Sequence, residues 1–391
     1  MITYNDVMEP DNPFVYGEIV GAGAFADRDA ERARLARDLA AGQKVFLISP
    51  RRYGKSSLVR DVLRGLARRK VLTVEVTVAS SSSYIGFLES YARALVAAET
   101  PASRLRRWAG ELLQAVRPEL RFDADPLPGK SRFALAFPAV KTARDTARLA
   151  AEVFALPGRI AAARRQRMAV ALDEFQAITA FDGGSVEHAL RAAVQDQRAV
   201  GYVFAGSEPS LMERMLGPRR PFYKAGPVMR LEKIEPGLFA KFIDSRFSAS
   251  GMRPEPGLGE AIVELAANVP YDVQRLAHET WDDVKAGGRK AVGVENLHAT
   301  LTRLLGEQHT VFEESWQRLT LAQRAVLRAL VLEDGRELLS ADVRTRHRLP
   351  VASSVQSALA ALLRQDIVMK EEGRYLVSDS LYREWVARKT Y

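Results

Sequence analysis

An α/β domain on a parallel sheet, followed by a helical region and a winged helix, is the fold this sequence predicts, on three observations. Five short runs are apolar almost without interruption: VFLIS (45–49), VLTVEVTV (71–78), MAVALDE (168–174), VGYVFAGS (200–207) and VMRLEKI (228–234). Strands covered by helices on both faces read this way, whereas half-solvated strands alternate. Helical periodicity separates the runs, which implies parallel strands joined by helical crossovers. After Ile234 the strand pattern stops and helical pattern takes over.

Taken in order, Ser56–Arg69 puts Leu58, Val62, Leu63 and Leu66 on one helical face, and Tyr84–Ala98 and Val186–Arg198 read likewise. The stretch 100–165 breaks the rhythm with Pro101, Pro118, Pro126, Pro128, Pro138 and Pro157, and reads as a helical insertion. Residues 236–314 are helical, punctuated at Gly251, Pro254, Pro256, Pro270 and Gly287–Gly288. Helices then follow over 320–333, 340–348 and 352–364, with a hairpin over 367–379 that turns at Glu371–Gly373. Three helices and a hairpin make a winged helix. The expected domains are therefore 1–234, 235–314 and 315–391.

A chain of 391 residues is too long for one ordinary core, in keeping with that division. It has no cysteine, which excludes disulfides, thiolate zinc sites and thiol catalysis, and permits a cytoplasmic location. MITYNDVMEPDNPF has no basic segment leading into an apolar one, so a signal peptide is not expected. No apolar run is long enough to span a bilayer. The net charge of +9 is uneven: residues 101–168 hold 14 Lys/Arg against 6 Asp/Glu, and residues 315–391 hold 13 against 9. Such patches suit nucleic acid or another polyanion, or are simply solvated arginine-rich helix faces.

The strongest local signal is LISPRRYGKSSLV (47–59), where a strand passes through a loop into a helix. The phosphate-binding pattern G-x-x-x-x-G-K-[ST] reads here as Ser49, Pro50, Arg51, Arg52, Tyr53, Gly54, Lys55 and Ser56, with Ser in place of the first Gly. Gly54 lets backbone N–H groups turn inward at a helix N-terminus, which makes an anion cradle. Lys55 reaches the β- and γ-phosphates of ATP, and Ser56 offers its hydroxyl to Mg²⁺, with Ser57 as the lesser candidate. MAVALDEFQAI (168–178) delivers two carboxylates at a strand tip. Asp173 would hold Mg²⁺, and Glu174 would act as general base on the attacking water. Ser207 ends the next strand; it either orients that water or caps the helix at Pro209. Arg219, Arg220 and Lys224 follow, and one of them, Arg220 foremost, is either a charge-stabilising finger or part of a basic surface loop. GAGAFA (21–26) looks like a kinase glycine loop, but no V-A-I-K, H-R-D or D-F-G follows it.

Together these residues resemble the archaeal-type ATPases of the AAA+/STAND division. The matches are PRRYGKSSL, LDEFQ, AGSEPSLM with PFYKAG, NVPYDVQRLA, DSLYREWVARK, and FADRDAE (25–31) for the FxGRExE box. The resemblance implies strand order 5-1-4-3-2, a helical lid and a C-terminal winged helix. It also implies that Phe25 and Arg28 lie near the adenine, and that Pro270 carries over from the lid's GxP signature. Two positions depart: Asn268 stands where that signature has Gly, and Asp27 where the box has Gly.

Three functions fit. One is an ATP-hydrolysing nucleotide switch that acts on a protein client, as a monomer or homo-oligomer. Another is an ATPase that grips double-stranded DNA through its winged helix and basic insertion. The third is a scaffold that keeps nucleotide without hydrolysing it. Asp173 and Glu174 together disfavour the scaffold. Ser353, Ser354, Gln356, Ser357 and Arg364 are few groups for reading bases, whereas RTRHRL (344–349) suits phosphate. The switch is the preferred expectation.

Overall fold

Five parallel strands form the core of one compact unit, Gly21–Glu232. The computed structural model describes residues 12–17, 26–99, 119–122, 133–137, 140–181, 184–371 and 373–389. In this unit the elements are α1 (Asp29–Ala40), β1 (Lys44–Ile48), α2 (Lys55–Arg68), β2 (Leu72–Thr77), α3 (Tyr84–Glu99), β3 (Glu119–Phe122), β4 (Phe133–Ala136), α4 (Ala143–Arg164), β5 (Met168–Asp173), α5 (Ser185–Gln195), β6 (Val200–Gly206), α6 (Pro209–Met215) and β7 (Val228–Arg230). The sheet runs β2-β5-β6-β1-β7, so the five parallel strands, counted along the chain, lie in the order 5-1-4-3-2. Every residue of β5 and β6 is buried, which accounts for their unbroken apolar sequence. Phe204 stands at the centre of the core, with ring centroids 4.9 Å from Phe46, 4.7 Å from Phe175 and 5.4 Å from Phe222.

Register places the site. Ile48 lies opposite Gly206, Thr77 opposite Asp173 and Leu172 opposite Phe204, so four strands end within one residue of the same level. The polar residues after β1, β5 and β6 leave the ladder at once, and the strands stop one residue before Ser49, Glu174 and Ser207. The region 100–165 is not wholly helical. Its described part contains an antiparallel pair, β3 with β4, in which Phe122 faces Phe133 in register. ELRF alternates polar with apolar residues, which is the strand period, and FALA alternates large with small apolar ones. Pro157 sits buried inside the 22-residue helix α4 instead of breaking it.

Met1–Val20 and Lys233–Tyr391 make the second unit. Its elements are α7 (Pro236–Ala249), β8 (Arg253–Pro254), α8 (Leu258–Leu265), α9 (Pro270–Ala286), β9 (Ala291–Val292), α10 (Val294–Glu307), α11 (His309–Gln317), α12 (Leu321–Leu332), α13 (Ala341–Arg346), α14 (Ala352–Arg364), β10 (Val368–Glu371), β11 (Arg374–Val377) and α15 (Ser380–Lys389). The expected helix–helix–helix–hairpin is present as α12 to β11, and β10 pairs antiparallel with β11. The final helix α15 returns to the preceding helices. Arg383 donates to the Leu265 carbonyl at 3.3 Å, and Trp385 meets Trp316 edge-on at 6.1 Å. Lys233 pairs with Glu371 at 2.8 Å.

Residues 12–17 belong to this second unit and not to the α/β domain expected for 1–234. Phe14 is the reason. Its ring is buried against Phe247 at 4.6 Å, Asn12 donates to the His278 carbonyl at 3.1 Å, and the Val15 amide donates to Gln274 Oε1 at 3.3 Å. Burying such a ring contributes about 1.5–3 kcal/mol, enough to decide where a short segment lies. Among the described residues no helix is long and apolar enough to cross a membrane.

Candidate functional site

The loop after β1 starts from a fixed point. Ser49 is fully buried, and its amide donates to the Gly206 carbonyl on neighbouring β6 at 3.2 Å. Arg52 takes φ +70°, and Tyr53 is buried. Gly54 caps α2 with φ +84°, a conformation that costs a side-chain-bearing residue about 1–2 kcal/mol. A Cβ there would meet open space, so backbone geometry and not crowding calls for glycine. The first turn of α2 carries no acid, which leaves its N–H groups to face an anion.

The side chains at the strand tips converge. Lys55, 5% exposed, donates from Nζ to Asp173 Oδ1, and the same Nζ lies 3.4 Å from Glu174 Oε1. Ser56 Oγ donates to Asp173 Oδ2 at 2.7 Å, and the Glu174 amide donates to Asp173 Oδ1 at 2.9 Å. Asp173 is thereby saturated with donors, which compensates its burial. Glu174 leaves β5 in the left-handed region at φ +51°, and a tight turn over Phe175–Ala180 follows. Buried Phe175 anchors that turn. Ser207 Oγ donates to Glu174 Oε2 at 2.5 Å. Its second expected role does not hold: the residue capping α6 is Glu208, because Pro209 takes the first helical position.

A hydroxyl and a carboxylate oxygen 2.7 Å apart, Ser56 and Asp173, fit a hard, oxygen-seeking cation such as Mg²⁺. Among the described residues no group of three or more His, Asp or Glu side chains could by itself hold a metal ion, and phosphate and water oxygens would complete the shell. Sequence reasoning passed over Gln176 and Glu208. Gln176 turns back beneath Glu174, with Nε2 2.6 Å from Glu174 Oε2 and 3.4 Å from Glu208 Oε1. The glutamine was visible in LDEFQ; only the turn that reverses it was not.

Other expected residues lie elsewhere. Arg220 donates to Glu187 Oε1 at 2.8 Å, and Glu187 is 1% exposed. Burial raises the Glu187 carboxyl above its ordinary range, and Arg220 opposes that rise. Arg219 is exposed at φ +67°, and Lys224 lies over the Tyr223 ring at 5.3 Å. Arg28 is buried and bridges Glu31 and the Glu232 carbonyl. Phe25 lies outside the described residues. Pro270 opens α9 in the second unit. The two positions that depart from glycine keep its backbone: Asp27 has φ +40° and Asn268 φ +55°. Asp and Asn are the residues that best tolerate that region.

In the winged helix the basic cluster is partly engaged. Arg346 pairs with Glu333 at 2.8 Å, His347 Nε2 lies 2.6 Å from the same Oε1, and Arg344 donates to the Leu339 carbonyl at 3.2 Å. The hydrogen bond from His347, then that from Arg346, holds the Glu333 carboxyl below its usual range. Ser353, Gln356, Ser357 and Arg364 are exposed on α14, and Ser354 is half-buried. Much of the basic insertion 101–168 lies outside the described residues.

Residues 310–388 match a family described as "probable winged helix domain". The whole fold is similar to a Walker-type ATPase of Pyrococcus abyssi, with TM-score 0.59 and 16% identity over 93% of this chain and 97% of that one. The Aeropyrum pernix ORC2 protein, solved in ADPNP and ADP complexes, gives TM-score 0.54 and 13% identity over 99% of both chains. The Aeropyrum pernix ORC1 protein, solved in complex with DNA, gives 0.52 and 14% over 94% of both. No curated protein matches the sequence. The chain has the fold of a P-loop NTPase with a C-terminal winged helix, as expected.

Proposed function

We propose that this chain binds ATP with Mg²⁺ at the tips of β1, β5 and β6 and hydrolyses it to ADP and phosphate. One observation carries the reading: Lys55, Ser56, Asp173, Glu174 and Ser207 meet within one hydrogen-bonded cluster. The N–H groups at the start of α2 receive the phosphates. Lys55 exchanges its carboxylate partners for β- and γ-phosphate oxygens, which frees Glu174 to take a proton from the attacking water. Ser207 holds Glu174 in position. Ser56 and Asp173 would hold Mg²⁺, which would supply neutralisation of the charge that develops on the phosphates. Arg220 is the candidate for a further cation at the transition state, provided it leaves Glu187.

The biological role we favour is a nucleotide-dependent switch. The helical layer and winged helix share one unit, tied by Lys233–Glu371 and by Arg383 to Leu265, and so can respond together. The second reading is a DNA-acting ATPase. It is favoured by exposed Arg364 and Lys370 on the winged helix and by the likeness to a protein solved on DNA. Phosphate release from Mg-ATP, with molar mass in ATP and in ADP and with and without duplex DNA, tests both. Turnover that changes molar mass or melting temperature between nucleotides supports the switch, and turnover stimulated by duplex supports the second reading. Absence of both binding and turnover ends the ATPase assignment.

A further inference from the structure

We infer that Gln176 is a positioning residue for the general base Glu174, an inference that rests on the ATPase reading above. Gln176 is 5% exposed, and its single amide reaches three groups of the strand-tip cluster. Nε2 lies 2.6 Å from Glu174 Oε2, 3.3 Å from Ser207 Oγ and 3.4 Å from Glu208 Oε1. Oε2 of Glu174 therefore has two donors, the Gln176 amide and the Ser207 hydroxyl, while Oε1 faces Lys55 at 3.4 Å. When Lys55 turns to phosphate, Glu174 keeps only the Gln176–Ser207 side of this grip. That side then sets the direction of its free oxygen. A base that must meet a water within hydrogen-bond reach loses rate steeply when misdirected.

The amide is itself held on purpose-built contacts. The Gln176 main-chain carbonyl accepts from Thr179 Oγ1 at 2.8 Å, which fixes the turn that carries the side chain. A Cβ on Gly206 would run into Met212 Sδ and come 2.9 Å from Gln176 Oε1, so both side chains pack against this glycine. Oε1 is buried and has no donor among the described residues. A glutamine in the core normally satisfies both ends of its amide; this one satisfies only the end that faces Glu174. A core filler of the same size, such as Met, would serve packing better. The arrangement is what an amide selected for its N–H groups requires.

The test uses the full chain and Mg-ATP. Gln176→Met keeps volume and removes the donor; Gln176→Glu keeps shape and, when ionised, also cannot donate. Both are expected to lower kcat by about tenfold to a hundredfold while leaving KM and ATP affinity near those of the parent. Gln176→Met placed in the Glu174→Gln background should lower the residual rate no further, because the two residues act as one unit. A folded Gln176→Met or Gln176→Glu with parental kcat overturns the inference, as does full additivity with Glu174→Gln. A parent protein without turnover overturns this inference together with the ATPase reading; a parent with turnover and indifferent Gln176 variants overturns this inference alone.

Discussion

At the tips of β1, β5 and β6 a lysine, two carboxylates and two serine hydroxyls converge from three segments 33 to 119 residues apart in hydrogen-bonded pairs, whereas the arginines of α13 turn back on their own neighbourhood. The first was singled out in the sequence for its motif, the second for its charge. The difference lies in what positions the charge. Parallel strands in fixed register bring every tip to one edge, so polar residues that end apolar runs are forced together. A basic run on a short helix has no such constraint, and its cations take the nearest acid. Arg346 and His347 share Glu333 of the connection after α12. Motif position at a strand end therefore predicts a site better than a count of basic residues does.

The sharpest way to break the comparison is at Lys55. Lys55→Ala is expected to reduce turnover by at least 10²–10³-fold and to weaken ATP binding, since it removes the cation that meets the phosphates. Retained affinity and rate would mean that the tip cluster is structural, like the α13 cluster. Glu174→Gln should cut turnover by roughly 10²-fold or more with ATP still bound, measured by phosphate release beside calorimetric titration. If both quantities fall together, Glu174 contributes to binding and not to proton transfer.

Arg220→Ala tests a pair that belongs to neither extreme. Removing the guanidinium leaves Glu187 buried, and a loss of about 2 kcal/mol is expected, below the ~3–5 kcal/mol of a fully buried pair because Arg220 is half exposed. The melting temperature should fall by roughly 4–8 °C. Burial already raises the Glu187 carboxyl. Its protonated form is therefore favoured in the folded variant. The defect should be slight below the unfolded carboxyl value of about 4.3 and grow as pH climbs through the raised folded value. A pH-independent defect, or a turnover loss with unchanged melting, would return Arg220 to the role of finger.

The smallest effect is expected at Glu333. Glu333→Gln frees Arg346 and His347, so any duplex affinity should rise and the log–log salt slope steepen by about 1. Its lowered carboxyl also means that the native ion pair contributes stability above the unfolded carboxyl value and loses it as pH falls through the folded one. Unchanged salt dependence in Glu333→Gln would place any DNA contact elsewhere, for instance at Arg364 and Lys370.

Much of this was legible beforehand. Unbroken apolar runs announced β1, β5 and β6, because only helix-covered strands need be apolar on both faces, whereas the edge strand β2 alternates buried Val74 and Val76 with half-buried Thr73, Glu75 and Thr77. The convergence of Lys55, Ser56, Asp173 and Glu174 was legible because all four stand at or after the ends of apolar strands. Gln176 was not, since its role depends on a reversal of direction set by Glu174 at φ +51° and by buried Phe175. The β3–β4 pair was obscured by the prolines around it, although ELRF alternates polar with apolar residues as strands do. The partners of Arg220 and Arg346 lie 33 and 13 residues away, beyond any helical spacing that would have suggested them.

The placement of Phe14 has a consequence for biosynthesis. Val15 leaves the ribosome 259 residues before Gln274, the side chain that accepts its amide hydrogen. At roughly 5–20 residues per second the interval is about 10–50 s. For most of it Phe14 has no Phe247 to cover it, while the whole of Gly21–Glu232 is made and can close. The nascent chain thus carries an uncovered aromatic segment past a finished domain. A translation-stalled chain ending before Phe247 should hold residues 12–17 open to protease, and one extended past Ala286 should protect them.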